Sequence, residues 1–199
     1  IGFGNVGQGL AHILLERGDW LADRFGVGFQ IVAVSDLHKG SCYDPTGLST
    51  SDLLATIREN DSLTAVTAPH RDWDALRTIN ESNSDIVVEI SYTDLKTGEP
   101  ALTHVHAALQ AGKHVVTTNK GPTALRFPEL LVLARKNKVE MGVECTVMSG
   151  TPALRMGMEM LAGAKVTSVQ GILNGTTNYI LTQMENGADY DEALAEAQQ

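Results

Sequence analysis

Three stretches of the sequence combine residue types and spacings that can do chemistry. The first is the opening, in which Gly2, Gly4 and Gly7 follow the G-x-G-x-x-G spacing of a dinucleotide-binding turn. Such a turn joins a parallel strand to a helix, and the amides and partial positive charge at the helix N-terminus bind a pyrophosphate. Glycine-rich turns are common, so this match needs support from the rest of the chain.

The second and third stretches offer groups that can bind a substrate. Lys120 follows the apolar run of a predicted strand, where its ammonium can lie beside a carbonyl or carboxylate, although most lysines are simply solvated. Residues 171–181 place small polar residues between an apolar run and a predicted helix, where backbone amides can bind a carboxylate. The alternative for the third stretch is that Thr176 only caps the helix.

The elements that must position these stretches alternate between strand and helix from residue 1 to 143. Apolar runs predict strands at 29–34, 85–90, 114–118 and 139–143, and helical spacing predicts helices at 5–17, 51–59, about 99–112 and 130–136. Residues 37–50 are predicted as a loop, and 60–84 contain only a short helix. This alternation predicts an α/β fold, a doubly wound parallel sheet of the Rossmann type.

The pattern changes at residues 150–152. A methionine-rich helix, a strand at 166–173 and two further helices predict the start of a second, α+β domain. We therefore expect a dinucleotide-binding domain over 1–148 and the beginning of a substrate domain over 149–199.

Composition limits the partners. The net charge of −9 argues against nucleic acid, which needs a basic surface, and no apolar run approaches the roughly 20 residues of a membrane span. Cys42 and Cys145 lack the spacing of a metal site, and so few cysteines are typical of a reducing compartment. We expect a cytoplasmic protein with neither nucleic acid nor membrane as a partner.

Asp36 follows the end of the strand predicted at 29–34 and is a candidate for cofactor recognition. An acidic residue there can accept hydrogen bonds from the adenosine ribose, although Asp36 lies farther from the glycines than the usual spacing of about 20 residues. The alternative is an exposed aspartate at a strand end. His38 and Lys39 follow directly and can bind a 2′-phosphate, so the choice between NAD and NADP stays open.

Taken together, five blocks resemble the homoserine dehydrogenase family. They are G-F-G-N-V-G at 2–7, T-T-N-K-G-P at 117–122, G-V-E-C-T-V-M-S-G-T-P at 142–152, G-I-L-N-G-T-T-N-Y-I-L at 171–181 and Y-D-E-A-L-A-E-A-Q at 190–198. The blocks run in the family's order across essentially the whole chain, and the block at 171–181 is the most specific.

The resemblance implies an NAD(P)-dependent interconversion of L-homoserine and L-aspartate 4-semialdehyde, within threonine, methionine and isoleucine biosynthesis. By position it implies that the cofactor-binding residues are Gly2, Phe3, Gly4, Asn5, Val6, Gly7, Asp36, Ser91 and Lys120. Lys120 would also be catalytic, between cofactor and substrate, and Gly175 and Thr176 would line the amino-acid pocket. A Na⁺ or K⁺ site would use mostly backbone oxygens of Glu144, Val147, Ser149 and Thr151.

The family places a further lysine, to which proton transfer is usually assigned, beyond the position of Gln199. On that ground we expect a fragment of a longer chain, homodimeric at full length, whose 199 residues alone bind cofactor weakly and turn over little homoserine. Two other classes stay open: another Rossmann dehydrogenase, related to aspartate dehydrogenase or dihydrodipicolinate reductase, and a non-catalytic nucleotide-binding regulatory domain.

Overall fold

The structure, a computed structural model, describes residues 1–198, which divide into two compact units. The first unit spans Ile1–Val143 and the second begins at Glu144. The domain boundary expected after residue 148 stays a prediction, because compactness alone does not define a biological domain.

Six short strands of the first unit form two three-stranded sheets. Strands β1 (Ala33–Asp36), β2 (Gly40–Tyr43) and β3 (His70–Arg71) are antiparallel neighbours in that order. Strands β4 (Ile86–Glu89), β5 (His114–Thr117) and β6 (Met141–Gly142) are parallel. The prediction of a loop over 37–50 is wrong for β2. Residues 40–43 form a strand because they pair with β1 through backbone hydrogen bonds. The local sequence pattern does not predict this pairing.

Residues Ile1 and Gly2 join the two sheets edge to edge. The amino nitrogen of Ile1 donates to the Val88 carbonyl (2.7 Å), and the Ile90 amide donates to the Ile1 carbonyl (2.9 Å). On the opposite side, the Gly2 amide donates to the Ser35 carbonyl (2.8 Å). The first two residues therefore lie between β1 and β4, as the first strand of a Rossmann-like sheet does, and the predicted α/β fold is confirmed.

Two helices of the first unit differ from their predicted bounds. Helix α1 (Asn5–Phe25) continues through Gly18, because a glycine inside a helix costs only about 1 kcal/mol, and it ends at Gly26 in the left-handed region. Helix α2 (Thr50–Asn60) begins one residue earlier than predicted. Ser49 caps it by accepting a hydrogen bond from the Asp52 amide (3.3 Å).

The remaining helices of this unit cover the sheet formed by β4, β5 and β6. They are α3 (Ala75–Glu81), α4 (Ala101–Gln110) and α5 (Lys120–Asn137). Helix α5 begins ten residues before the predicted start and kinks at Arg126, two residues before Pro128. The apolar faces of α4 and α5 meet β4 and β5 in a core that includes Val87, Val105, Leu109, Val115 and Leu130.

The described part of the second unit is helical. A 3₁₀ turn (Glu144–Thr146) leads to the short helix α6 (Ala153–Arg155), which continues as a π-helical segment (Met156–Met160). Helices α7 (Gly175–Glu185) and α8 (Tyr190–Ala197) follow. The predicted strand at 166–173 is not formed within residues 144–198, where this segment has no strand to pair with. A β-branched sequence favours a strand but needs a hydrogen-bonding neighbour to become one.

Candidate functional site

The glycine turn has the geometry of an anion-binding cradle. Gly2 has a φ of +91°, and a Cβ added there would lie 2.7 Å from the Ile90 carbonyl oxygen, so only glycine fits. Gly4 is the N-cap of α1 and is exposed, with no heavy atom within 4 Å of an added Cβ. No side chain caps the helix, and its first turn contains no acidic residue. The amides of that first turn can therefore receive a phosphate.

Asp36 contacts the glycine turn directly. One carboxylate oxygen accepts a hydrogen bond from the Phe3 amide (2.7 Å), and the other accepts from the amides of His38 (2.9 Å) and Lys39 (3.0 Å). Desolvation alone would raise the pKa of this carboxyl, but the three backbone N–H groups and the nearby Lys39 ammonium lower its pKa overall. Asp36 is therefore an anion that anchors the turn while staying partly exposed.

The two basic residues after Asp36 differ in availability. The Lys39 ammonium forms an ion pair with Asp61, and its side chain is largely covered. His38 is exposed. Because the charge of Lys39 is already balanced by the Asp61 carboxylate, its attraction for a second anion is weaker.

A buried polar cluster lies where β4 and β5 end. We name it the Glu89 cluster; its members are Glu89, Ser91, His104, Thr117 and Asn119. Glu89 is fully buried, and one of its oxygens accepts from the Ser91 hydroxyl (2.5 Å) and amide (3.2 Å) and from His104 Nδ1 (3.3 Å). The other accepts from Asn119 Nδ2 (2.5 Å) and the Thr117 hydroxyl (3.4 Å).

Hydrogen bonds keep the buried Glu89 ionised. Desolvation alone would raise its pKa, and the donors on His104, Ser91 and Asn119 outweigh that effect, so the pKa lies below the ordinary glutamate value. Glu89 lies inside the apolar run that predicts the strand at 85–90, and that pattern does not mark it as a functional residue. The signal was present, because a glutamate inside a buried run is rarely tolerated without several partners.

Lys120 begins helix α5 and is exposed. Its neighbour Asn119 is the N-cap residue but does not cap with its side chain. The Asn119 amide group instead donates to Glu89 and to the Ser91 carbonyl (2.8 Å). The Glu89 cluster thus ties Ser91 to the residue that precedes Lys120.

The predicted substrate residues form the first turn of α7, in the second unit. Gly175 and Thr176 are exposed at this helix start. Asn174, not Thr176, caps the helix by accepting from the Thr177 amide (2.8 Å). The capping alternative for Thr176 is wrong, and its hydroxyl remains at an exposed helix N-terminus.

Residues 144–151 form a tight turn that includes the predicted cation ligands. The Glu144 carboxylate accepts from the amides of Leu154 (3.0 Å) and Arg155 (2.9 Å), so it caps the start of the next helix. Met148 and Ser149 both have positive φ values, of 58° and 52°. Within residues 1–198 there is no group of three His, Cys, Asp or Glu side chains able to hold a metal ion.

The sequence-predicted residues thus fall into two groups. In the first unit, Gly2 donates to Ser35 and Phe3 donates to Asp36 at the end of β1. Ser91, beyond the end of β4, is bonded to Asn119, the residue before Lys120. Gly4, Asn5, Val6 and Gly7 form the start of α1. The residues predicted for substrate and cation belong to the second unit.

Two models of one protein family match this chain. The family model described as the NAD-binding domain of homoserine dehydrogenase matches residues 2–144, more than half of the chain. The chain belongs to the homoserine dehydrogenase family. A second model, described as homoserine dehydrogenase, matches residues 152–199. Because both parts of the chain match models of the same family, the two alternative classes raised from the sequence are not favoured.

Individual homoserine dehydrogenases are similar over the whole chain. An NAD(+)-dependent homoserine dehydrogenase of Pseudomonas canavaninivorans is 41% identical, with 100% of this chain and 56% of that protein covered. A homoserine dehydrogenase of Methanocaldococcus jannaschii is 38% identical, with 100% and 59% covered. The chain therefore spans between half and two thirds of the length of these relatives.

Solved structures of the family share the fold. A hyperthermophilic archaeal homoserine dehydrogenase in complex with NADPH superimposes with a TM-score of 0.83 at 27% identity, covering 99% of this chain and 58% of that one.

Among residues 1–198, no helix is both long enough and apolar enough to cross a membrane.

Proposed function

We propose that this chain carries the cofactor-binding part of an NAD(P)-dependent homoserine dehydrogenase, which interconverts L-homoserine and L-aspartate 4-semialdehyde. The observation that carries the proposal is the glycine turn between β1 and β4, anchored by Asp36 and followed by an uncapped helix start. Ligands of doubly wound sheets bind outside the carboxyl ends of the strands, where the chain turns to opposite sides. In support of this, the turn follows Ile1 and Gly2, which lie between β1 and β4.

The cradle at Gly4 fits the pyrophosphate of a dinucleotide. The space around Gly4, directly before the first amides of α1, is open because glycine has no side chain. A phosphate oxygen would occupy this space, and a Cβ at this position would fill it. From this point the adenosine half would extend toward Asp36, and the nicotinamide half toward Ser91 and Lys120. Phe3, Asn5, Val6 and Gly7 would complete the pyrophosphate contacts.

When bound, the nicotinamide supplies or accepts the hydride exchanged with the carbon of the substrate carbonyl. The residues of this chain orient the two partners. Lys120 would hold its ammonium beside the substrate oxygen, where negative charge grows as the carbonyl is reduced. The position of Lys120 in the first turn of α5 supports this role, because the positive end of the helix adds to the field at the same point.

Within this proposal the preferred cofactor is NAD. A ribose 2′-phosphate next to the Asp36 carboxylate would meet a like charge, whereas a 2′-hydroxyl could donate a hydrogen bond to it. The ion pair between Lys39 and Asp61 removes one cation that could compensate the phosphate. The Pseudomonas relative is described as NAD(+)-dependent, in line with this preference.

The second unit would supply substrate and cation contacts. The exposed amides of Gly175 and Thr176 at the N-terminus of α7 suit the substrate carboxylate. A Na⁺ or K⁺ ion would be held by oxygens, mostly of the backbone, of Glu144, Val147, Ser149 and Thr151. A higher unfolding temperature in KCl or NaCl than in tetramethylammonium chloride would support this site, and equal unfolding temperatures would oppose it.

The proposal also includes a homodimer, as expected from the family, and a cytoplasmic location. The homodimer is supported by a set of exposed apolar residues in the second unit: Met158, Met160, Val166, Val169, Ile172 and Leu181. Exposed apolar surface of this extent is typical of a face that another domain or subunit covers.

Binding and turnover are tested separately. The 199-residue chain is titrated with NADH, following nicotinamide fluorescence, alongside Gly4→Ala and the control Gly18→Ala, a helix glycine with equal room for a Cβ. We expect binding by the wild type and the control, and at least tenfold weaker binding by Gly4→Ala. Absence of NADH binding by the wild type would contradict the cofactor assignment.

Turnover is then measured in a chimera, with residues 1–199 in place of the matching part of the Pseudomonas relative. We expect homoserine-dependent NADH formation by the chimera and little by the 199 residues alone. A chimera that binds NADH without oxidising homoserine would instead favour the regulatory alternative.

A further inference from the structure

We propose that Glu89 is a positioning residue that sets the nicotinamide half of the cofactor site, and this inference rests on the proposed function. The Glu89 carboxylate is fully buried and its oxygens are occupied by donors, so it cannot touch substrate or cofactor. Its effect must pass through the groups that it holds, of which Ser91 and Asn119 lie at the ends of two adjacent strands.

The Glu89 cluster joins the loops that follow β4 and β5. The pairing of β4 with β5 ends at Glu89 and Thr117, and although the Ile90 amide donates to the Ile1 carbonyl (2.9 Å), no hydrogen bond of the β4–β5 ladder joins the two loops beyond those residues. Ser91 donates twice to one Glu89 oxygen, and Asn119 donates to the other oxygen and to the Ser91 carbonyl (2.8 Å). The buried carboxylate thereby replaces the missing ladder and fixes the distance between the two loops.

Charge makes this link strong. An ionised carboxylate accepts hydrogen bonds at about four lone-pair positions, and bonds to a charged acceptor are roughly twice as strong as neutral ones. An amide in its place offers one accepting atom and two N–H donors. In Glu89→Gln, either Ser91 or Asn119 would face a donor instead of an acceptor. The two loops would lose their common anchor while the apolar core below stays unchanged.

The adenosine side of the site has hydrogen bonds of its own, made by residues outside this cluster. Asp36 and Phe3 form their own hydrogen bond, and the start of α1 is held by the chain between β1 and β4. Loss of the Glu89 link should therefore weaken binding of the nicotinamide half alone. That selective loss distinguishes positioning from a general structural role, because unfolding or loosening of the whole unit would weaken both halves.

The test compares NADH with ADP-ribose, which lacks the nicotinamide, by calorimetric titration of the 199-residue chain. For Glu89→Gln we expect NADH affinity to fall at least tenfold, with ADP-ribose affinity within twofold of the wild type. Glu59→Gln, an exposed residue of α2, is the matched control and should leave both affinities unchanged. Equal losses for both ligands, or no loss for NADH, would overturn the proposal.

A second variant keeps the test decisive if Glu89→Gln does not fold. Asn119→Ala removes the half-buried side chain that links the loop after β5 to Glu89 and to the Ser91 carbonyl, without placing a new group in the core. We expect the same selective loss of NADH affinity. If both variants fold, the double variant should be no weaker than the weaker single variant, because both break one link. Additive losses, or unchanged NADH affinity in Asn119→Ala, would overturn the proposal.

Failure of the proposed function has a different signature. A wild-type chain that binds neither NADH nor ADP-ribose contradicts the cofactor site itself. A wild-type chain that binds both ligands, with no selective loss in the variants, contradicts only the role of Glu89.

Discussion

Replacing Gly2 by alanine should destabilise the first unit because two separate costs add. A non-glycine residue in the left-handed region costs about 1–2 kcal/mol, and Gly2 has a φ of +91°. The new Cβ would also lie 2.7 Å from the Ile90 carbonyl oxygen and 2.9 Å from the Ser91 amide nitrogen. These are backbone atoms, so relief requires β4 to move, at about 1–3 kcal/mol.

The net loss follows from these two costs and one compensation. Alanine restricts the unfolded chain more than glycine does, which returns about 0.4–1 kcal/mol. We therefore expect Gly2→Ala to lower the free energy of unfolding by about 1–4.5 kcal/mol, with a midpoint of about 3 kcal/mol. For a chain of this size the midpoint corresponds to a decrease of roughly 6–12 °C in unfolding temperature.

The matched control is Gly4→Ala, two residues along the same turn. Gly4 has a φ of −76° and open space around an added Cβ, so its stability should stay within about 1 kcal/mol of the wild type. Urea unfolding followed by tryptophan fluorescence measures both variants. A Gly2→Ala chain as stable as the wild type, or a Gly4→Ala chain as unstable as Gly2→Ala, would refute the reasoning.

Three further predictions concern charged groups. Asp36→Ala should reduce the ratio of NADH to NADPH affinity at least tenfold, and an unchanged ratio in fluorescence titrations would remove Asp36 from cofactor selection. Lys120→Ala should cut homoserine turnover of the chimera at least a hundredfold, whereas Lys136→Ala, at the other end of α5, should leave turnover unchanged. Because the folded-state pKa of Glu89 is lowered, its stabilising contribution is present above the unfolded-state pKa of about 4.3 and is lost as pH falls through the folded-state pKa. Urea unfolding at pH 7 and pH 3.5 should therefore show a smaller acid-induced loss for Glu89→Gln than for the wild type, and equal losses would contradict the assignment.

The predictable part of the fold rests on local pattern. The apolar runs around Val87 and Val115 predict buried strands, and both are formed, because short β-branched runs have few other stable environments. Glycine spacing likewise predicts the turn before α1. The bounds were less well predicted: α5 begins at Lys120 and α1 passes through Gly18, since tertiary packing outweighs the small cost of an unfavourable residue.

Strand pairing required information beyond local pattern. The run beginning at Gly40 forms a strand only because β1 and β3 lie on either side of it. Residues 166–173 have a stronger strand sequence, yet no described strand pairs with them. Pairing depends on distant partners, which a single segment does not specify.

The sequence by itself determined the glycine turn before α1, Asp36 at the end of its strand, Lys120 after β5 and, through five ordered blocks, the family. Those features are local, because each depends on residue type and spacing within a few positions. Only the tertiary structure revealed that Asp36 anchors Phe3, that Lys39 is paired with Asp61, and that Glu89 connects two loops. A buried carboxylate is defined by the donors around it, and the chain brings those donors together only when it folds.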